Sequence, residues 1–100
     1  MHCLTVTYPA PEDPVAFRDY YVQKHIPLAM TLPGLVSASY GFPEALGPSD
    51  APFCIFQAYF ADAAAMGAAL SSEIGGKVAA DVPNYSPRGA HLSHYAVEKP

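Results

Sequence analysis

Phe53-Cys54-Ile55-Phe56-Gln57-Ala58-Tyr59-Phe60 is the stretch on which the fold turns. Its residues are mostly aromatic, β-branched or small and apolar, the composition of a strand. Successive side chains of a strand point to opposite faces, so Phe53, Ile55 and Tyr59 share one side and Cys54, Phe56 and Phe60 the other. Both sides therefore demand cover. Helices of the same chain can shield one of them, and the other needs a further layer.

Working outward, Pro43 to Pro52 carries three Pro with Gly, Ser and Asp, the makings of an exposed connection. Before it, Leu35 to Phe42 alternates and predicts a strand that pairs with the first as a hairpin. Leu32-Pro33-Gly34 supplies the turn into that strand. After Phe60, Asp62 caps a run of alanines, predicting a helix that starts there. Gly75-Gly76 is expected to break it, Lys77 to Val82 to add one more turn, and Pro83 to Pro87 to form a loop. Ala90 to Val97 alternates again as a last strand with contacts on both faces. At the other end, Cys3 to Tyr8 alternates as a first strand. Asp13-Pro14 then offers an N-cap followed by proline at the first helical position. Phe17, Tyr20, Tyr21, Lys24 and Leu28 trace an apolar stripe on that helix, which Pro27 bends or remakes near Ile26. The order is β-α-β-β-α-β, the α+β ferredoxin-like arrangement of two helical segments on one face of a four-stranded antiparallel sheet. Its bare face predicts a homodimer.

The bulk properties agree with one domain over residues 1–100. Only 14% of residues are charged, well below the roughly 25% of ordinary globular chains, as expected if a partner covers part of the surface. The net charge is −4 and the five basic residues are scattered singly, so there is no stripe for phosphates. Nucleic acid and anionic membranes are excluded as partners. Cys3 and Cys54 lie in strand-like runs without metal or dithiol spacing and read as buried free thiols. The first residues lack the basic and apolar regions of a leader, which predicts a cytoplasmic protein.

His25 is the leading candidate for chemistry, because an imidazole both takes and returns a proton near neutral pH. A histidine near a helix end also suits capping of free carbonyls, so that role stays open. Asp81 is placed to orient its ring, with Asn84 beside it, although both residue types also shape turns. Tyr21, Tyr40, Tyr59 and Tyr85 are candidates for an aromatic substrate pocket, against the alternative of plain core packing. Alternation puts His91 and His94 on opposite faces of the last strand. His94, travelling with Leu92 and Ala96, is the one expected to share the helix-covered cavity. No three or four ligands have local metal-binding spacing, so no metal or other cofactor is expected, while a haem, needing one axial histidine, stays open.

The stretch Phe17-Arg-Asp-Tyr-Tyr-Val-Gln-Lys-His-Ile-Pro-Leu, the Leu32-Pro-Gly-Leu turn, and Asp81 to Tyr85 before the final strand together resemble the EthD family. These are small stress-responsive-type dimeric α/β-barrel proteins named for a component of ether-degradation operons, and the resemblance spans nearly the whole chain. It implies a ferredoxin-like subunit that pairs through its sheet. Relatives of this barrel include polyketide cyclases, lactone isomerases and quinone-forming monooxygenases, most of them working without metal by acid–base residues between sheet and helices. The resemblance thus implies a cofactor-free lyase, isomerase, cyclase or oxygenase acting on a small aromatic or carbonyl metabolite. The alternatives are a binding or accessory module for a hydrophobic metabolite or partner oxidoreductase, and a purely structural dimer.

Overall fold

The computed structural model describes residues 1–100. Four strands, β1 (His2–Tyr8), β2 (Ser37–Gly41), β3 (Cys54–Phe60) and β4 (His91–Ala96), form one antiparallel sheet in the order β2-β3-β1-β4. Register places Leu4 opposite Ala58 on one side and His94 on the other, and Val6 opposite Phe56 and Leu92. These residues therefore share the face on which the helices lie. There Leu4, Val6, Tyr8, Cys54, Phe56, Ala58 and Phe60 are all buried with Phe17, Tyr21 and Met66 in one core.

Helix α1 (Pro14–Tyr20) begins as the sequence indicates, with the Asp13 carboxylate accepting from Ala16 N–H at 3.0 Å and proline in the first turn. Residues Tyr21–His25 then form a π-helical segment, and α2 (Ile26–Ala29) follows without a gap. The Ile26 amide donates to the Tyr21 carbonyl, five residues back. The cause is legible in the buried set. Phe17, Tyr21, His25 and Ala29 are spaced by four, and in a regular α-helix such a row drifts about 40° per step around the axis. The wider π turn holds the row on one face, and it opens the helix where the Pro27 ring would otherwise crowd the Gln23 carbonyl. The stripe expected through Lys24 thus moves to His25: Lys24 is exposed and His25 is buried.

Helix α3 (Ala63–Ser71) starts on Asp62, whose carboxylate accepts from Ala65 N–H at 2.8 Å. Two expectations are corrected beyond it. Gly75-Gly76 does not end a helix but lies in the first turn of a new one, α4 (Glu73–Tyr85), capped by the Ser72 hydroxyl, which accepts from Gly75 N–H at 3.1 Å. Pro83 does not stop α4 either. It sits in the last turn, where it forfeits only the single bond to the Ala79 carbonyl, so Asn84 and Tyr85 are helical. No helix is long and apolar enough to cross a membrane.

The other side of the sheet carries Cys3, Thr5, Thr7, Ile55, Gln57, Tyr59, Ser93 and Tyr95. Cys3 is sealed there, whereas Tyr95 is 45% exposed. Edge strand β4 is exposed at every residue, against the expectation of contacts on both faces, because within one chain it meets only β1. The molecule measures 35 × 35 × 18 Å, the thickness of one helical and one sheet layer.

Candidate functional site

The site grows out of the seam between the π segment and α4. The π turn delivers His25 to the sheet side of its helix. On α4, spacings of three and four put Asp81, Asn84 and Tyr85 on the side facing it. His25 Nδ1 lies 2.9 Å from Asp81 Oδ2, and the two side chains are only 4% and 14% exposed. The second carboxylate oxygen, Oδ1, accepts from the Tyr20 hydroxyl at 2.5 Å and from the Asn84 amide at 3.1 Å.

This division of labour fixes the charge state. Burial pushes the Asp81 carboxyl up, but the donations from Tyr20, His25 and Asn84 outweigh it and hold the group below the ordinary aspartate value. An ionised Asp81 only accepts, so Nδ1 of His25 carries the proton. Nε2 is then a lone pair; it has no partner in the protein and, unlike the Tyr21 hydroxyl, is not sealed from solvent. Burial lowers the His25 pKa below its usual value, with Asp81 opposing, so the imidazole is a neutral base at physiological pH.

Around the imidazole, the Tyr21 ring stacks at 5.3 Å and 18°, and the Tyr85 ring lies 4.6 Å away, tilted. The Tyr85 hydroxyl is hydrogen-bonded to the Tyr8 hydroxyl at 2.9 Å. Tyr21 is fully buried with its hydroxyl unpartnered, and burial drives the phenols of Tyr21 and Tyr85 far up the pKa scale, so both stay neutral. Nearby, burial raises the Cys54 thiol to about 11, which makes it an inert core residue.

His25 lines a cavity of about 280 Å³ between sheet and helices, whose walls include Leu4, Val6, Tyr8 and Phe56 from the sheet and Ala29, Val78 and Val82 from the helices. A larger hollow of about 490 Å³ lies on the far side of the α1–α4 seam, lined by Phe17, Tyr20, Asn84, Tyr85 and Arg88, and does not reach the imidazole. Arg88 there is held by Glu12 at 3.7 Å and by the Ala10 carbonyl at 2.7 Å. Of the two, only the smaller space borders His25.

Of the residues singled out from sequence, His25, Asp81, Asn84, Tyr85 and Tyr21 gather around the imidazole, but only His25 lines the smaller cavity: Asn84 and Tyr85 line the larger hollow, and Tyr21, expected in a substrate pocket, is sealed in the core. Three others lie apart. Tyr59 is on the opposite face of the sheet, paired with Cys3, because the register fixes Ala58 as the inward residue. Tyr40 is on the helix side but on the edge strand β2, 42% exposed, its ring edge-on to Tyr21 and Phe42. His94 faces the helices, yet its Nδ1 is tied to His2 Nε2 at 2.9 Å outside the cavity. Two functional side chains were missed. Tyr20 read as another member of the core stripe, and Tyr8 as the end of a strand. The signal for Tyr20 was its place beside Tyr21, which turns one of two adjacent rings away from the core. No group of three or more metal-ligating side chains exists in the protein.

Similarities to known proteins agree on the fold and the family. The chain is 34% identical over 93 residues, 92% of its length, to an uncharacterized 11.0 kDa protein of the thcB-thcC intergenic region of Rhodococcus erythropolis, covering 90% of that protein. Its fold matches an EthD family protein of Bacillus halodurans C-125 with a TM-score of 0.87 at 23% identity, over 98% of this chain and 99% of that one. SnoaB of Streptomyces nogalater, a cofactor-independent oxygenase, superposes with a TM-score of 0.67 at 13% identity, covering 99% and 94%. A dimeric ferredoxin-like protein from Jannaschia sp. CCS1 gives 0.64 at 18% identity, covering 96% and 97%. The profile of the EthD domain matches residues 10–88, which include the Tyr20-Tyr21 pair, His25 and Asp81, and the chain belongs to the EthD family.

Proposed function

We propose that the protein is a cofactor-free enzyme that moves a proton on a small aromatic or carbonyl metabolite, with His25 as general base and Asp81 as the group that orients it. The observation that carries this reading is the split use of one imidazole that lines an apolar cavity, Nδ1 fixed by an ionised carboxylate and Nε2 left without a partner in the protein. In the reaction, a C–H bond next to a carbonyl breaks, the proton passes to Nε2, and the electron pair moves onto the carbonyl oxygen as an enolate. His25 then returns the proton to another carbon or to oxygen, the common step of isomerases and cyclases. SnoaB, which shares the fold, is a cofactor-independent oxygenase, and an enolate is an electron-rich species able to react with dioxygen. The burial that keeps His25 neutral also strengthens its contact with the developing charge.

The dimeric ferredoxin-like neighbour supports a homodimer, and the open sheet face is the surface this reading gives it. The two buried free thiols suit a reducing compartment, the cytoplasm. A second reading draws on the apolar cavity walls, which would also suit a carrier of a hydrophobic metabolite. Exchange of α-protons for deuterium in acetophenone, followed by NMR in D2O, separates the two. Enzymatic exchange is expected with an acid limb below about pH 6.5, falling on the order of 10²–10⁴-fold in His25→Ala. Binding without exchange would leave only the carrier.

A further inference from the structure

Taking the cavity at His25 as the substrate site, its walls say what kind of molecule it admits. The cavity holds about 280 Å³, at the lower end of the ~300–1,000 Å³ usual for small-molecule sites. That volume suits a small organic molecule.

Charge is screened strictly. Every lining residue except His25 and Gly75 is hydrophobic. None of the five Lys and Arg side chains reaches the cavity: Arg18 lies over the Phe42 ring and Arg88 in the other hollow. Lys77 pairs with Glu73 on the surface. A carboxylate or phosphate entering this space would lose its water and gain no cation, while the Asp81 charge stands behind His25. The polar side chains of the lining are His25, whose Nε2 is an unpartnered acceptor, and Tyr8, whose hydroxyl is already bonded to Tyr85 at 2.9 Å. A guest here meets mostly hydrocarbon. The exposed members of the lining are Leu70 and Leu92, 38% and 60% accessible, with Ala79. The mouth therefore opens between edge strand β4 and the α3–α4 corner, across an apolar threshold.

We infer that the site selects an uncharged small molecule, admitted past Leu70 and Leu92, and rejects carboxylates of equal size. Acetophenone and benzoate probe the two arms, with binding followed through the His25 imidazole and the leucine and valine methyl resonances. Acetophenone is expected to bind at the cavity, and benzoate at least about tenfold more weakly. Leu70→Arg, and Leu92→Arg as a second variant at a more exposed position, place a cation at the mouth and are expected to raise benzoate affinity about tenfold or more. Benzoate binding the wild type as tightly as acetophenone, or indifference of benzoate to both arginines, would overturn the inference. Acetophenone that binds selectively yet exchanges no deuterium would sink the catalytic reading and leave this one standing.

Discussion

His25 concentrates the argument at the scale of a single residue, because three neighbours decide its state. Tyr20 and Asn84 saturate one oxygen of Asp81, Asp81 offers the other to Nδ1, and burial keeps the ring neutral. The same arrangement couples stability to pH. The folded-state pKa of His25 lies below the unfolded value of 6.5, so the unfolded chain binds this proton more readily than the folded one. Its contribution is complete above pH 6.5 and is lost as pH falls from there toward the lower folded value. Asp81 acts lower down: its folded pKa is depressed below 3.8, so its stabilisation is present above that point and disappears as pH drops through the folded value. Urea midpoints are therefore expected to fall in two stages on acidification, and His25→Gln to flatten the first. A first stage of equal size in that variant would mean that another group controls it.

At the scale of elements, the two adjacent glycines of α4 make opposite predictions. A Cβ on Gly75 would collide with the backbone carbonyl oxygens of Ala69 and Leu70, so α3 and α4 pack this closely only because that position lacks a side chain. Around Gly76 there is open space. Gly75→Ala is expected to destabilise by about 1–3 kcal/mol and to disturb the cavity it lines, whereas Gly76→Ala should stabilise by about 0.5–1 kcal/mol. Denaturant titration of the pair checks this, and equal effects would show that the corner is not tight. What the sequence revealed follows the same division between local and distant causes. The caps at Asp13 and Asp62 and the alternation of the strands were readable because their causes lie within a few residues. The π turn was not, since it answers to a row of residues that must all meet the sheet; its trace was the strict spacing of Phe17, Tyr21, His25 and Ala29 ending near a proline. Gly75-Gly76 read as a break because the closeness that requires them involves α3. Tyr59 was misplaced because alternation pairs residues on a face without saying which face the helices cover.

For the whole molecule, the accessible surface makes the case for a partner. It is 6159 Å², against about 5,500 Å² for an ordinary monomer of 10.6 kDa, and only 19 of 100 residues are buried. The excess goes with a slab whose sheet is bare on one side, where Cys3, Ile55, Tyr59 and Tyr95 sit among Thr5, Thr7, Gln57 and Ser93. A face of aromatic and hydroxyl side chains, with no charged group along those strands, matches a second copy of itself better than it matches water. Light scattering is expected to give a dimer at micromolar concentration, with an unfolding midpoint that rises with protein concentration. Tyr95→Asp would bury an unpaired carboxylate in that contact, a change of several kcal/mol that weakens association roughly a hundredfold or more. Tyr95 is remote from the His25–Asp81 seam, so the variant should keep the imidazole's resonance and titration while losing the dimer. Should the wild type instead remain monomeric at tens of micromolar, the bare face would be an ordinary polar surface, and the barrel assembly would have to be abandoned while the cavity of each subunit stood.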